Sequence, residues 1–376
     1  MKKATKFFAV LLVVVLAFSL AACKTTASKD ITVDVFWYDF ADPFLTTVRE
    51  AAIAAFNDAG ITATMINSEN DQAKQTQQVK TAISGGSDLL IVNIVTSASL
   101  DAAQEIVDLA KEADIPIILF NREPTNAQGE GTGSDAIINS YAKCAFVGTR
   151  AAEAGELQGQ AAAEFLLKDE NWKDGKSIYD LDGDGVIRYL MFRGEHGNAE
   201  AFGRTLYSVQ FANKDLAGKL ELKPSVANET SNLYPNDGVS NFFLYGNWNG
   251  KIAGDLMRTA MATYSLTDGS IEFIFANNDD QALGVIEALN EKDFNTGAAG
   301  AGYIPVFGVD ATAPAQQAIK DGKMTGTVLQ SATAMADALV DLSKAIAGGG
   351  SLDDKKADYP TDSGVYKIRI PYQIVK

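Results

Sequence analysis

The sequence holds few of the side chains that serve as nucleophiles, general bases or soft metal ligands. Its 376 residues include one histidine, His196, and two cysteines, Cys23 and Cys144. A histidine-based triad has a single candidate base, and a catalytic zinc would need one imidazole plus scattered acids. The Gly-x-Ser-x-Gly, Walker and His-Glu-x-x-His motifs are missing. Paired carboxylates could serve glycoside hydrolysis, but the sequence does not give their separation. We therefore expect that the protein is not an enzyme.

Positive charge is also scarce. The chain has 32 Lys and Arg against 48 Asp and Glu, which gives a formal net charge of -16. Residues 1–22 contain three lysines and no acid, so the remainder stands at 29 - 48 = -19. This charge disfavours nucleic acid as a partner and disfavours charge-driven adhesion to anionic lipid. A small neutral or cationic ligand is left open.

The first 30 residues are typical of a targeting segment. Three lysines precede an apolar run at 7–18, and the run ends in Leu-Ala-Ala-Cys23, which resembles a bacterial lipoprotein cleavage box. We expect residues 1–22 to be a signal peptide, Cys23 to carry the lipid, and residues 23–30 to be a flexible tether. The alternative is an uncleaved membrane anchor, for which the apolar run is short.

The rest of the chain contains no second apolar run long enough to cross a membrane. The expected location is therefore extracytoplasmic, with the protein held on the outer face of a bacterial membrane by its lipid. With Cys23 lipidated, Cys144 is left alone in an apolar run, where a buried small side chain is expected.

Apolar runs alternate with amphipathic stretches from residue 31 onward. Short continuous apolar strands separated by helices are typical of parallel sheets covered on both faces, so the pattern predicts an α/β protein. The same rhythm starts again after residue 148, which predicts two doubly wound domains. The polar and aromatic segment 226–247 is predicted to be a surface insertion. The predicted strands are at 31–38, 61–66, 89–95, 115–120, 145–148, 189–192, 272–276, 304–309, 326–329 and 368–372.

The stretch Asp180-Leu-Asp182-Gly-Asp184-Gly185 resembles the first half of a calcium loop. It has carboxylates at positions 1, 3 and 5 and a glycine at position 6, and Val186 could add its carbonyl at position 7. The second half departs from the pattern, because position 9 is Arg188 and position 12, normally a bidentate Glu, is Met191. Two interpretations stay open: the stretch is a polar turn, or it is a calcium loop closed by a distant carboxylate.

Five further stretches resemble the galactose/glucose-binding proteins of sugar ABC transporters, in the family's order and spacing. They are Asn70-Asp-Gln-Ala-Lys-Gln75, Phe146-Val-Gly-Thr149, Ala276-Asn-Asn-Asp279, Pro305-Val-Phe-Gly-Val-Asp310 and Gly326-Thr-Val-Leu329. The resemblance implies a type I periplasmic binding protein fold, with two Rossmann-like lobes joined by a multi-strand hinge. It places the first lobe at 31–148 plus about 333–365, and the second at about 149–330 plus 367–376.

The resemblance also implies a sugar site in the cleft between the lobes. Phe44 and Trp248 would cover the two faces of a pyranose, and polar groups would bridge its hydroxyls. Asn198, Glu200 and Gln330 depart from the family's His, Asp and Asn, which leaves the preferred sugar open. The implied sugar-binding residues are Asp42, Phe44, Asn93, Asn198, Glu200, Arg204, Trp248, Asn278, Asp310 and Gln330.

For the acidic loop, the resemblance supplies a remote closing carboxylate, Glu272. A calcium ion would then be held by Asp180, Asp182, Asp184, the carbonyl of Val186 and Glu272. The family has a glutamine ligand where this chain has Arg188.

The implied function is a monomeric, lipid-anchored monosaccharide receptor that delivers its sugar to an ABC transporter permease. One alternative is a sensor that reports sugar to a chemoreceptor or a membrane kinase. Another is a binding protein for a different small ligand, such as a pentose, a nucleoside or a furanone.

Overall fold

We describe the protein from a computed structural model, which places residues 30–126, 133–227 and 243–375. Within these ranges no helix is both long enough and apolar enough to span a bilayer. The predicted signal peptide, Cys23 and nearly all of the predicted tether lie outside the described residues. So does most of the predicted insertion, although a short strand forms at Leu244–Tyr245.

Fifteen strands and ten α-helices cover most of the described chain. The strands are β1 (Thr32–Trp37), β2 (Thr62–Asn67), β3 (Leu89–Val92), β4 (Ile117–Phe120), β5 (Cys144–Gly148), β6 (Trp172–Lys173), β7 (Lys176–Ser177), β8 (Val186–Arg193), β9 (Glu221–Pro224), β10 (Leu244–Tyr245), β11 (Phe273–Ala276), β12 (Val306–Asp310), β13 (Gly326–Leu329), β14 (Lys367–Arg369) and β15 (Gln373–Val375). The helices are α1 (Pro43–Ala59), α2 (Gln72–Gly85), α3 (Leu100–Glu112), α4 (Ser134–Asn139), α5 (Ala151–Leu166), α6 (Ala199–Leu216), α7 (Gly250–Thr263), α8 (Asp279–Asn290), α9 (Ala313–Lys320) and α10 (Ala332–Ala347).

The first lobe is built on a six-stranded parallel sheet in the order β14-β5-β4-β3-β1-β2. Along β1, Val33 and Val35 pack into the apolar cluster formed with α1 and α10. Phe36, one residue further on, packs into the opposite cluster with α2 and α3. Successive side chains on a strand point to opposite faces, so a continuous apolar strand supplies both layers.

The second lobe repeats this design. Its main sheet has the order β10-β8-β11-β12-β13-β15, with β9 also paired to β8, and only the β13–β15 pair is antiparallel. Residues of β8 and β11 alternate between a cluster with α7, α8 and α9 and a cluster with α5 and α6. The predicted pair of doubly wound α/β lobes is therefore the observed architecture.

Helix α1 shows how the sequence brings a polar group to the edge of the first sheet. Asp42 is its N-cap: Oδ1 accepts a hydrogen bond from the Leu45 amide at 2.8 Å, and Pro43 occupies the first helical position. The helix ends at Gly60, whose φ of 68° few other residues adopt without strain. Because Asp42 follows β1 closely, it lies at the carboxyl end of that strand.

The chain passes between the lobes three times. The passages are at Thr149–Arg150 after β5, at Gln330–Ser331 after β13, and at residues 370–372 between β14 and β15. We predicted one strand over 368–372 and assigned residues 367–376 to the second lobe. Instead β14 pairs with β5 in the first sheet and β15 pairs with β13 in the second. Pro371 lacks an amide hydrogen and therefore separates the two strands.

Candidate functional site

A polar cleft lies between the lobes at the carboxyl ends of their parallel strands, where doubly wound sheets bind ligands. Nine of the ten predicted sugar-binding residues line it, and Asn93 is the exception. The lining residues are Tyr38, Asp42, Phe44, Leu45, Asn121 and Arg122 from the first lobe, Asn198, Glu200, Arg204, Trp248, Asn278 and Asp310 from the second, and Gln330 from a crossing segment.

Asn93 is fully buried beneath the cleft. Its Nδ2 donates to the carbonyl of Phe120 at 3.0 Å and to Oδ1 of Asn121 at 3.2 Å, and its Oδ1 accepts from the Tyr38 amide at 3.3 Å. The side chain thus joins the ends of β1 and β4. It positions two lining residues, Tyr38 and Asn121, without lining the cleft itself.

Three lining residues are also helix N-caps. Asp42 caps α1, Asn198 accepts from the Glu200 amide at 2.9 Å to cap α6, and Asn278 accepts from the Gln281 amide at 3.0 Å to cap α8. Each cap brings a polar side chain and a helix N-terminus to the cleft, since each helix is the next element after a strand of the parallel sheet. Capping therefore holds these three side chains in position, and each of them still lines the cleft.

Arg204 lies at the centre of the second-lobe wall. Its Nη1 donates to the carbonyl of Asn277 at 2.8 Å and lies 3.5 Å from Oδ1 of Asp310. Its Nη2 donates to Oε1 of Gln330 at 3.1 Å. Burial alone would lower the pKa of Arg204, but the Tyr372 hydroxyl and the Glu200 and Asp310 carboxylates raise it. The guanidinium therefore stays charged inside the wall.

Glu200 connects this wall to the crossing segments. Its Oε1 accepts from the Thr149 hydroxyl at 2.6 Å, and its Oε2 accepts from the Tyr372 hydroxyl at 2.7 Å and from Nε of Arg204 at 3.2 Å. Thr149 and Tyr372 belong to two different crossings. The predicted sugar ligand Glu200 is thus engaged mainly by hinge residues.

Two buried acids lie at the carboxyl ends of strands in the second sheet: Asp310 is the last residue of β12, and Asp279 comes soon after β11. Burial raises the pKa of Asp310 well above its usual range, and Arg204 opposes this. Burial also raises the pKa of Asp279 to about 7, although Thr327 and Thr312 donate hydrogen bonds to it. Asp310 has a φ of 120°, a strained conformation for a residue with a side chain. Strain of this kind is typical of residues held in place at binding sites.

The Trp248 indole forms one side of the cleft, and Gly194 makes room for it. A Cβ built at Gly194 would lie 2.4 Å from the indole ring, so no other residue fits at position 194 without displacing the ring. The Arg204 guanidinium lies 5.5 Å from the ring centroid. Phe44, also in the lining, comes from the first lobe. The two aromatic residues predicted to cover the faces of a sugar thus come from opposite lobes.

The lobes touch across the mouth of the cleft. Nη2 of Arg122 forms an ion pair with Oε2 of Glu195, and Oγ1 of Thr125 donates to the carbonyl of Gly197 at 2.5 Å. The carbonyls of Ile94 and Val95 hold the Arg122 guanidinium in the first lobe, each at 2.8 Å. These contacts correspond to a closed arrangement of the lobes.

Tyr38, Leu45, Asn121 and Arg122 line the cleft but were not among our predicted site residues. Asn121 and Arg122 follow β4 directly, so the rule that ligands bind after strands would have found them. Tyr38 directly follows β1, and its hydroxyl donates to Oδ2 of Asp42 at 2.8 Å.

The predicted calcium ligands are only partly gathered. Carboxylate oxygens of Asp180, Asp182 and Glu272 lie within 4.8 Å of one another. Asp184 pairs with Arg188 through Nη2 and Oδ2 at 2.5 Å. Calcium takes roughly six to eight oxygen ligands, and a guanidinium provides none. These residues therefore do not fit the ion as the resemblance implied, and calcium binding stays a prediction.

Comparison with known proteins agrees with this geometry. Residues 33–351 match the model of the periplasmic binding protein domain. The chain belongs to the periplasmic binding protein family. It is 32% identical over 365 residues to the D-galactose/methyl-galactoside binding periplasmic protein MglB of Haemophilus influenzae, covering 97% of this chain and 95% of that one. It is 22% identical over 351 residues to the ribose import binding protein RbsB of Salmonella typhimurium, covering 93% and 95%.

Solved structures of the family share the fold. A carbohydrate transporter solute binding protein from Chloroflexus aurantiacus, in complex with D-glucose, aligns with a TM-score of 0.69 at 16% identity and covers 93% of each chain. An ABC transporter solute binding protein from Bacillus halodurans with bound myo-inositol aligns with a TM-score of 0.65 at 24% identity, covering 94% of this chain and 96% of that one. The predicted type I periplasmic binding protein fold is confirmed. The matched relatives are solute-binding receptors.

Proposed function

We propose that this protein is an extracytoplasmic receptor that binds a monosaccharide between its lobes and delivers it to an ABC transporter. One observation carries the proposal: nine residues predicted from sequence to contact sugar converge on one cleft and come from both lobes. The MglB relative, which is named as a galactose-binding protein, aligns with nearly the whole chain.

The chemistry of the cleft suits a neutral polyhydroxyl ligand. Phe44 and Trp248 can cover apolar C–H faces, while the Asp42 carboxylate and the Asp310 carboxyl group offer acceptor oxygens to hydroxyl groups. Among the described residues, the buried Nε1 of Trp248 and Nε2 of Gln330 have no hydrogen-bond acceptor. Buried donors are normally paired, so ligand oxygens are suitable partners for both.

Hinge closure provides the mechanism. A ligand that touches both lobes only when they are closed shifts the population toward the closed form, because its affinity for the two forms differs. The three crossing segments are where the chain can bend. The closed form would present matched lobe surfaces to the permease, and no step of the cycle requires catalysis.

Isothermal titration of the purified protein with galactose, glucose, xylose, ribose and arabinose tests the proposal. We expect saturable binding of at least one hexose or pentose. If none of these sugars gives a heat of binding, although the protein unfolds cooperatively, the ligand belongs to another class, such as a nucleoside or a furanone.

The lipid anchor forms a separate part of the proposal. Cys23 would carry the lipid after removal of residues 1–22. In cells, wild-type protein should incorporate a labelled fatty acid, and Cys23→Ser should incorporate none, with unchanged sugar binding. Equal labelling of both proteins would exclude Cys23 as the attachment point.

A further inference from the structure

Four carboxylates lie close together at the acidic loop formed by residues 180–188. Oxygens of Asp180, Asp182 and Glu272 lie within 4.8 Å of one another. Asp184 is two residues beyond Asp182 in the loop. Like charges this close repel one another, and partial burial reduces screening by solvent. A bound metal ion or a cationic side chain would offset the repulsion.

The Arg188 guanidinium is positioned to do so. Nη1 lies 3.1 Å from Oδ2 of Asp182, and Nη2 lies 2.5 Å from Oδ2 of Asp184. Nη1 also lies 3.8 Å from Oε2 of Glu272. Three of the four carboxylates of this loop are thus within ion-pair distance of a single side chain.

Main-chain amides engage the remaining carboxylate oxygens. Asp180 accepts from the Gly183, Asp184 and Gly185 amides at 2.8, 3.1 and 2.9 Å. Glu272 accepts from the Leu181 amide through Oε1 and from the Arg188 amide through Oε2, both at 2.7 Å. Glu272 therefore closes the loop directly by hydrogen bonds.

A calcium ion and this arginine would compete for the same oxygens. An ion bound to Asp182 and Asp184 would have to displace Arg188, whose side chain is 28% exposed and can swing into solvent. The displaced arginine could not supply the ligand that is missing at position 9 of the loop, since it has no acceptor atom. The ion would thus lack a ligand, and its binding would break three ion pairs.

We propose that Arg188 is the resident cation of this loop and stabilises it in place of a bound metal ion. The second lobe then holds its shape at any calcium concentration. This inference does not depend on the sugar, and sugar titration is read separately from the test below.

The test compares thermal unfolding of the chelator-treated full chain with and without calcium, alongside calcium titration by calorimetry. Wild type should show no calcium heat and the same Tm in both buffers. Arg188→Gln should lower the Tm in chelator, and calcium should restore part of that loss. The control Arg258→Gln removes an exposed arginine that pairs with Glu291 and Asp255 in the same lobe. It should show no response to calcium.

A calcium-dependent rise in the wild-type Tm would overturn the proposal. So would an Arg188→Gln protein that is as stable as wild type in chelator, or one that calcium does not stabilise. If Arg188→Gln does not fold, Asp184→Asn replaces it. That variant should lower the Tm equally with and without calcium, and an unchanged Tm would contradict the role of the Arg188–Asp184 pair.

Discussion

Nη2 of Arg204 donates a hydrogen bond to the Tyr372 hydroxyl at 3.0 Å. Tyr372 belongs to the third crossing segment, whereas Arg204 is on α6 and lines the cleft. The same hydroxyl lies 2.7 Å from Oε2 of Glu200. A residue of the hinge therefore holds two residues of the cleft wall, and hinge geometry and cleft geometry are linked.

Tyr372→Phe tests this link. The ring stays packed, but Arg204 and Glu200 lose a buried hydrogen-bond partner, a loss worth about 1–3 kcal/mol. We expect sugar affinity by calorimetry to fall about tenfold, as a loss of about 1.4 kcal/mol implies. The control is Tyr359→Phe, which removes a hydroxyl 2.9 Å from Oδ2 of Asp341 outside the cleft lining. Similar affinity losses in both variants would show that the hinge contact has no special role.

Glu195→Gln addresses the contact between the lobes. It removes the charge that pairs with the buried Arg122, and hydrogen bonds to charged groups contribute about 1.5–3 kcal/mol. Because the pair joins the two lobes, its loss should favour the open form, so the dissociation rate should rise and affinity should fall roughly tenfold. Stopped-flow fluorescence measures this rate. Glu291→Gln, which removes an exposed pair with Arg258, should leave the rate unchanged.

Gly194→Ala should damage the Trp248 wall. The new Cβ would lie 2.4 Å from the indole, which has to move away from the cleft. We expect at least a roughly tenfold loss of sugar affinity, which corresponds to about 1.4 kcal/mol, and a shift in tryptophan emission. Gly85→Ala is the control, because a Cβ at position 85 meets nothing within 4 Å. Unchanged binding by Gly194→Ala would mean that Trp248 is not a contact surface.

Asp279 predicts a pH dependence of stability. Its folded pKa of about 7 exceeds its ordinary value of 3.8, so the folded state binds the proton more tightly than the unfolded state. Stability from this group is complete below about pH 3.8 and declines as pH rises through about 7. Arg204 opposes the shift, and burial dominates it.

Urea unfolding at several pH values measures this effect. Asp279→Asn cannot titrate, so its stability relative to wild type should increase as pH rises toward 7 and then level off. A constant difference across this range would indicate that Asp279 is ionised throughout.

The sequence predicted the architecture well because both lobes obey simple periodicities. Buried strands such as β3 and β11 are apolar at every position and lie where strands were predicted. The prediction was wrong at 368–372, where apolar character continues through Pro371. An apolar run does not reveal in which sheet each residue pairs.

The sequence indicated which residues line the cleft, but it did not indicate which side chains contact one another there. Nine of the ten residues that the resemblance implied as sugar ligands line one cleft. Asn93 shows the limit, because its position at a strand end does not tell whether the amide faces ligand or the neighbouring loop. The Arg122–Glu195 pair joins residues of separate lobes, and no local pattern encodes such a contact. The sequence showed that Arg188 replaces a calcium ligand, but only the structure shows which carboxylates the guanidinium contacts.

The pairing of β14 with β5 also bears on how the chain folds. The first sheet takes one edge strand from residues 367–369, which are synthesised after all of the second lobe except β15. Bringing residues 367–369 to β5 closes a long loop, which costs conformational entropy. Contacts between residues far apart in sequence also slow folding. A fragment ending near residue 150 would leave the edge of β5 unpaired, and such edges promote aggregation. The two lobes are therefore expected to reach their native state together, in one cooperative transition.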